Sequence, residues 1–278
     1  MRVVPAYLPR AQFLWVGGSL SCLEQTSLRS FVAHGYPVDL YAYTEIDGVP
    51  PGVNLCAAET ILPARRIFRQ SSGWAQGSYA GFADLFRYHL LRQKGGWWFD
   101  ADIISIRPLP APAGLRLASS FEGGYGQLAN NCAIYAPVGH PALNWLCENA
   151  ETALQTAEPE FGALGPYLVQ RMVRELGCMD AVAPWWEFSP FPHTQLGRVV
   201  YARGARTRLI HLMRHVKYQI RALRDPDFRV GRLRPGTRAL HLHNEIWRSS
   251  GWAKNGSYHA ACLFESLKRR HGIACTAP

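Results

Sequence analysis

Two carboxylates separated by one small residue, Asp100-Ala101-Asp102, follow the run Gly95-Gly96-Trp97-Trp98-Phe99 in a chain with 20 acidic residues against 30 Lys and Arg. Hard oxygen ligands of this kind suit Mg or Mn. A cation held by them without being enclosed can offset the charge of a diphosphate as a bond to it breaks. At alternate positions of a continuing strand the two side chains would diverge, so the pair acts together only if the chain turns after Phe99. The plain alternative is an exposed turn with no ligand. The glycines before the pair and Ile103-Ile104 after it instead predict the carboxyl end of a buried strand, where open parallel sheets bind ligands.

Asp84 and Arg87 share one helical face with Ala80, Ala83, Tyr88 and Leu91, at spacings of three and four. Asp84 can accept from a nucleobase, a ribose or a sugar hydroxyl. Arg87 can offset phosphate charge or orient Asp84. The competing reading is an intrahelical ion pair worth about 0.2–0.5 kcal/mol. Near the other end of the chain, His241 and His243 alternate along a predicted strand, so only one of them is expected to face a given site. Imidazole ligates Mn, and Asn244 offers a further oxygen. Trp247 can lie over a base, over a sugar or in the core.

The elements that must position these residues are legible in outline. Phe13 to Val16 reads as a buried strand ending at Gly17-Gly18, and Ser21-Cys22-Leu23-Glu24 has the spacing of a capping box opening a helix to about His34. Val38 to Tyr43 resumes as strand, which completes the unit of a parallel sheet covered by helices. A short strand at Val53 to Cys56 and a helix from about Gln76 to Gln93 precede the metal motif. Beyond it strands are predicted at Ile103–Ile106, Leu115–Ser119, Cys132–Tyr135 and Arg238–Leu242, and helices over 141–151, 167–176 and 259–270. Trp185 to Pro192 is no long regular element. Between Arg206 and Leu223 the apolar residues Leu209, Leu212, Met213, Val216, Ile220 and Leu223 recur at helical spacing against an Arg-rich face, the pattern of an interfacial helix.

With 278 residues, 48% of them hydrophobic and 18% charged, the chain can bury one full core, with or without an appended lobe. The net charge is +10, and Arg198 to Arg238 alone holds twelve Arg or Lys against Asp225 and Asp227. Such a surface can meet anionic lipid, an anionic glycan or nucleic acid. Seven cysteines at wide spacings, with no Cys-x-x-Cys, indicate neither a disulfide framework nor a structural zinc site and fit a reducing compartment. No window reaches the length of a membrane span and no leader is evident, so a cytoplasmic protein is expected, peripheral to a membrane if attached at all.

Four segments together resemble the DXD-containing glycosyltransferases of family 32: Phe13 to Gly18, Ala83 to Tyr88 with Leu91, Gly95 to Asp102, and His241 to Trp247. That family includes bacterial capsule and lipooligosaccharide enzymes and eukaryotic alpha-1,4-glycosyltransferases. More distantly the segments look like the glucosyltransferase domain of large clostridial cytotoxins. The resemblance implies an α/β fold of GT-A type: a Rossmann-like, mostly parallel central sheet flanked by helices, with a helical and loop-rich C-terminal portion. It implies one domain over 1–278, with a donor half to about 112 and acceptor-side and closing segments from 113.

It also implies a UDP-sugar donor, Mn or Mg, and transfer of a hexosyl unit to a glycan or glycolipid hydroxyl with retention, in bacterial surface polysaccharide or lipooligosaccharide synthesis. Trp15 and Val16 would lie near the uracil. Asp84, Arg87 and Tyr88 would bind the donor, and Asp102 would be the more direct metal ligand, beside Asp100 and Ala101. The late His-Leu-His-Asn segment would close over the diphosphate, with His243 or Asn244 completing the metal shell and His241 the competitor, and Trp247 would be among the donor-site residues. Asn130, Asn131, Gly165 and Trp185 would lie on the acceptor side. Leu164 stands where a small polar residue is commoner, and Phe99 replaces a frequent tyrosine. Under this reading the enzyme sits at the inner face of a bacterial plasma membrane, touches anionic lipid through its basic stretch and binds no nucleic acid.

Two other classes compete. A noncatalytic module for anionic glycans or nucleic acid would use the basic stretch but leave the carboxylate pair unexplained. A phosphatase-like hydrolase would want a small or hydroxyl residue soon after the second Asp and a later lysine, where this chain has Ile103-Ile104 and few lysines.

Overall fold

In a computed structural model of the chain the described residues are 8–122, 125–156, 160–193, 196, 197, 209, 213, 216, 220, 233–258, 260 and 262–275. Strands β1 (Ala11–Trp15), β2 (Val38–Ala42), β3 (Val53–Ala57), β4 (Gly96–Phe99), β6 (Arg116–Glu122) and β7 (Gly126–Ala136) form one sheet in the order β3-β2-β1-β4-β7-β6. The first four are mutually parallel, and β7 is antiparallel to both of its neighbours. A second, two-stranded sheet pairs β5 (Ile103–Ser105) antiparallel with β8 (Ala239–His241). The expected α/β architecture, a largely parallel sheet flanked by helices, is what the chain adopts.

Consecutive strand residues serve opposite faces of the sheet, as the pleat requires. Phe13, Trp97 and Phe99 pack under helix α1 (Cys22–Ala33). Leu14 and Trp98 pack on the other face, which holds helices α2 (Ala80–Lys94), α3 (Pro141–Thr156) and α4 (Pro166–Glu175). The capping box forms as expected: the Ser21 hydroxyl accepts from Leu23 N–H, and Glu24 accepts from Ser21 N–H at 2.9 Å. Phe99 is wholly buried against Phe13, Phe31 and Trp97, with ring centroids 4.5 to 6.0 Å away. An aromatic block thus roots the strand that delivers Asp100. Gly95 ends α2 at φ +61°, and a Cβ there would lie 2.8 Å from Val138 N, so the tight passage from α2 into β4 needs glycine.

Several boundaries differ from those expected. α2 starts at Ala80, not near Gln76. β7 extends back to Gly126, because it pairs with β6 along one half and β4 along the other, and this places Asn130 and Asn131 on a strand. Between Leu117 and Ala118 the register jumps from Ile134 to Asn130, leaving residues 131–133 without β6 partners, a bulge of the kind that re-aims groups beside a site. Trp185 opens a one-turn helix, α5 (Trp185–Phe188).

A C-terminal lobe of α6 (Asn244–Ser249) and α7 (Leu263–Arg270) is pinned to the rest by a cluster that includes Leu23, Ile104, Leu240, Trp247 and Phe264. Cys22 and Cys275 form a disulfide, while the other five cysteines are free. The wide spacing in sequence concealed this single bridge, and it removes the cysteine-based support for a reducing compartment. No described helix is long and apolar enough to cross a membrane. Most of the 206–223 stretch lies outside the described residues. Leu209, Met213, Val216 and Ile220 are described there, as helical residues 48–64% exposed.

Candidate active site

β4 ends at Phe99, and the chain turns through Asp100-Ala101-Asp102, closed by the Ile103 N–H donating to Asp100 O at 2.9 Å. This is the turn that the pair of carboxylates required. The bulge in β7 serves it directly, since Cys132 O accepts from Asp100 N–H at 2.9 Å and Asn131 O accepts from Arg87 Nη1 at 2.6 Å.

Arg87 is buried and nearly saturated. Its Nη1 also meets Asp100 at 3.0 Å, its Nη2 meets Asp84 at 2.9 Å, its Nε donates to Ala83 O at 3.2 Å, and its guanidinium carbon lies 4.9 Å from the centre of the Trp98 ring. These bonds orient both carboxylates, and Arg87 also lines the two cavities that meet there. Asp84 also accepts from Asn131 Nδ2 at 2.7 Å. Burial pushes its carboxyl up to about 6 against the opposing pull of Arg87. This pair is therefore more than a surface ion pair between helix neighbours. Gly165 packs directly behind it: a Cβ there would lie 2.7 Å from Asp84 Oδ2. Tyr88 is wholly buried, donating to Leu164 O at 2.7 Å, and supports this arrangement from within.

The register of β5 with β8 sets Ile103 opposite His241, carrying the late histidines to the Asp pair. β8 stops at His241, and His243 adopts a left-handed conformation, φ +49°, unique among described non-glycine residues. Such a conformation costs of order 1–3 kcal/mol and persists where surrounding contacts impose it. Here it aims the Asn244 N–H at Asp102 Oδ2. It also overturns the expected alternation: the His241 and His243 rings stack 3.8 Å apart and both line the cavity at Asp100 and Asp102.

Electrostatically the two carboxylates diverge. Burial raises the Asp100 carboxyl, Arg87 opposes the rise and Asp102 adds to it. Against its own burial, Asp102 is held well below the usual carboxylate range by His241 and the Asn244 N–H. His241 is held well above its ordinary value, against burial, by Cys132 and Asp102, whereas burial and the charge on His241 drive His243 well below.

Asp100, Asp102 and His241 each place a ligand atom within 4.8 Å of the other two. Asp102 Oδ1, His241 Nδ1, His243 Nε2 and Asn244 Oδ1 are all buried without hydrogen-bond partners. A buried polar atom left without a hydrogen bond costs about 1–3 kcal/mol, and Asp102 Oδ1 has only the His241 Nε2 ion pair at 3.6 Å, so these atoms fit a site completed by a bound cation. His241 joins the metal-type cluster, where the family resemblance favoured His243 or Asn244.

Two cavities meet at this centre. One, of about 280 Å³, is lined by Leu14, Trp15, Val16, Ser78, Tyr79, Ala83 and Arg248 before it reaches Asp100, Ala101 and Asp102. The other, of about 410 Å³, runs from the same aspartates past Asp84, Asn130, Asn131 and the histidines to Trp74, Glu122, Phe161 and His193. Trp15, Val16 and Ala101 are thus brought to the first cavity, Asn130 and Asn131 to the second, and Asn244 to both. Trp247 and Trp185 are brought to neither. Trp247 anchors the C-terminal lobe, donating to Leu242 O at 2.9 Å, and Trp185 packs against Phe121. Sequence reasoning missed Glu245 and Arg248, although they lie one and four residues beyond Asn244. Arg248 binds Glu245 through Nε and Nη2 and donates to Trp74 O at 3.2 Å. Trp74, Phe161 and His193 carried no local signal.

No protein-family description matches the chain, and no curated protein does. Among solved structures it is similar to the PaToxG glycosyltransferase, at 13% identity over 95% of this chain and 88% of that one, with a TM-score of 0.46. It is similar also to a double cysteine-to-serine mutant of a transferase, at 14% identity over 62% and 85% of the two chains with a TM-score of 0.41. A further transferase matches at 10% identity over 61% and 85%, with a TM-score of 0.34. Likenesses this faint carry no argument about activity, which rests on the site itself.

Proposed function

We propose that this chain is a metal-dependent glycosyltransferase of GT-A type that moves a hexosyl unit from a UDP-sugar to a glycan hydroxyl with retention. The observation that carries the reading is the convergence of Asp100, Asp102 and His241, with four buried polar atoms that lack hydrogen bonds, at the junction of two cavities. A hydrolytic phosphatase would need only one of those cavities. A noncatalytic binding module would need neither the buried carboxylates nor their arginine.

Asp100, Asp102 and His241 would hold Mn or Mg, with Asn244 and His243 as nearby donors. The nitrogen ligand favours Mn. When bound, the cation supplies Lewis-acid stabilisation of charge on the diphosphate. Trp15, with its partly buried indole beside the first cavity and Lys254 Nζ 5.7 Å from its ring centre, would flank the uracil. Arg248 would offset phosphate charge from the open side of the same cavity. Asp84 would accept from a hydroxyl of the transferred sugar, held at the seam by Asn131 and Arg87. The acceptor hydroxyl would enter from the second cavity, on the face from which UDP leaves, and pass its proton to the departing phosphate.

The acceptor would be a glycan or glycolipid of a bacterial surface polysaccharide, met at the cytoplasmic face of the plasma membrane. Leu209, Met213, Val216 and Ile220, exposed at helical spacing within a stretch of twelve basic residues, support contact with an anionic bilayer. A panel of UDP-sugars with Mn, scored for UDP release, tests the activity. Asp100→Asn and Asp102→Asn should each lower the metal-dependent rate at least about tenfold. Equal rates for wild type and both variants at limiting and saturating Mn would refute the role of the pair.

A further inference from the structure

The second cavity continues outward. Glu122, Asn130, Phe161, Gly162 and Pro166 line it and also line an adjoining groove of about 650 Å³. The two form one trough leading from Asp100 and Asp102 to the surface between the β6–β7 hairpin and the start of α4. Exposed aromatic rings mark its course. Trp74, 53% exposed, stands edge-to-face with Phe161 at 5.0 Å near the inner end. Tyr125 on the hairpin and Tyr167 on the first turn of α4 are 86% and 66% exposed at the outer end. Large rings left in water along a groove have no folding role to explain them, whereas flat apolar faces suit the C–H faces of pyranose rings.

The charge of the trough is equally informative. The chain carries 30 Lys and Arg, yet none is among the described residues lining the outer groove. Among the described residues its one charged lining residue is Glu122, with His193 Nδ1 at 3.5 Å from the carboxylate, and the other polar side chains, such as Ser120, Asn130 and Gln170, are neutral. A phosphorylated or sialylated ligand would meet Glu122 with no described cation in the groove to offset it. An uncharged sugar finds both hydrogen-bond partners and stacking faces.

We infer that this trough is an acceptor subsite for a neutral oligosaccharide of at least two sugar units: the terminal unit at Trp74 and Phe161, the next at Tyr125 and Tyr167. The inference rests on the transferase reading for the direction of the chain, but binding can be measured without turnover. Saturation-transfer NMR on the full chain, with neutral mono-, di- and trisaccharides of glucose, galactose and N-acetylglucosamine and with sialyllactose, reads it directly. At least one neutral series should bind more tightly as it lengthens from one unit to two. Tyr125→Ala and Tyr167→Ala should each remove about a tenfold share of that gain, the loss of one stacked face. Sialyllactose should bind more weakly than lactose. The inference is overturned if no neutral series gains affinity with length, if both variants keep the gain, or if the sialylated sugar binds better. Metal-dependent release of UDP from a UDP-sugar, with the hexosyl unit recovered on a glycan hydroxyl and not on water, decides the transferase reading separately.

Discussion

The carboxylate of Asp84 shows how tightly single atoms are placed in this site. It is buried, ionisable near pH 6, braced by Arg87 and Asn131, and backed by a residue that has no side chain. Gly165→Ala should therefore displace Asp84 by pressing a methyl group against Oδ2. A fall of at least about tenfold in kcat/KM for the donor is expected, with a midpoint of thermal unfolding that moves by only a few degrees. Steady-state kinetics alongside a melting curve checks this, and unchanged kcat/KM would show that Gly165 does not position Asp84. Asp84 and Arg87 were visible in the sequence because a helical period puts them on one face. Gly165 was visible only as part of a Gly-Pro pair, since no local pattern reveals that a glycine 81 positions away leaves room for one oxygen. Tyr88 shares the helical face but faces the core, because the face is wide enough to span both cavity and interior.

At the scale of elements, the site exists because three irregularities coincide: the turn after β4, the bulge in β7 and the left-handed residue between β8 and α6. The first was legible, since two useful carboxylates cannot project together from one flat strand. The other two depend on pairings between distant segments, so neighbouring residues carry no trace of them. That is why a strict strand alternation separated His241 from His243, while the chain stacks them. Phe99 connects these irregularities to the core. Phe99→Ala should destabilise the protein by about 3–5 kcal/mol, as loss of a large buried ring does. Urea denaturation followed by tryptophan fluorescence measures it. A change below about 1 kcal/mol would mean that the aromatic block does not hold the strand in place.

At the scale of the whole molecule, basic charge is unevenly distributed along the chain. The outer trough has no described basic lining residue, and the stretch from Arg198 to Arg238 concentrates a surplus equal to that of the entire chain. Exposed Leu209, Met213, Val216 and Ile220 within that stretch provide an apolar strip of the kind that inserts among lipid headgroups once basic residues draw it to an anionic surface. The protein should sediment with vesicles containing phosphatidylglycerol and remain free of pure phosphatidylcholine vesicles. Met213→Glu with Val216→Glu should abolish the difference. Equal absence from both pellets would remove membrane contact from the account. The clustering of basic residues was legible from the sequence, whereas the disulfide between Cys22 and Cys275 was not, because nothing in sequence announces that two cysteines 253 positions apart meet.

The central claim is that Asp100, Asp102 and His241 together hold a divalent cation against the donor diphosphate. Mn binding in the presence of UDP, followed by the loss of the electron paramagnetic resonance signal of free Mn, tests it most directly. The account predicts one tight site on the wild-type chain, weakened at least about tenfold in both Asp102→Asn and His241→Ala. Mn binding of equal strength in wild type and both variants, or no binding by the wild type, would contradict it.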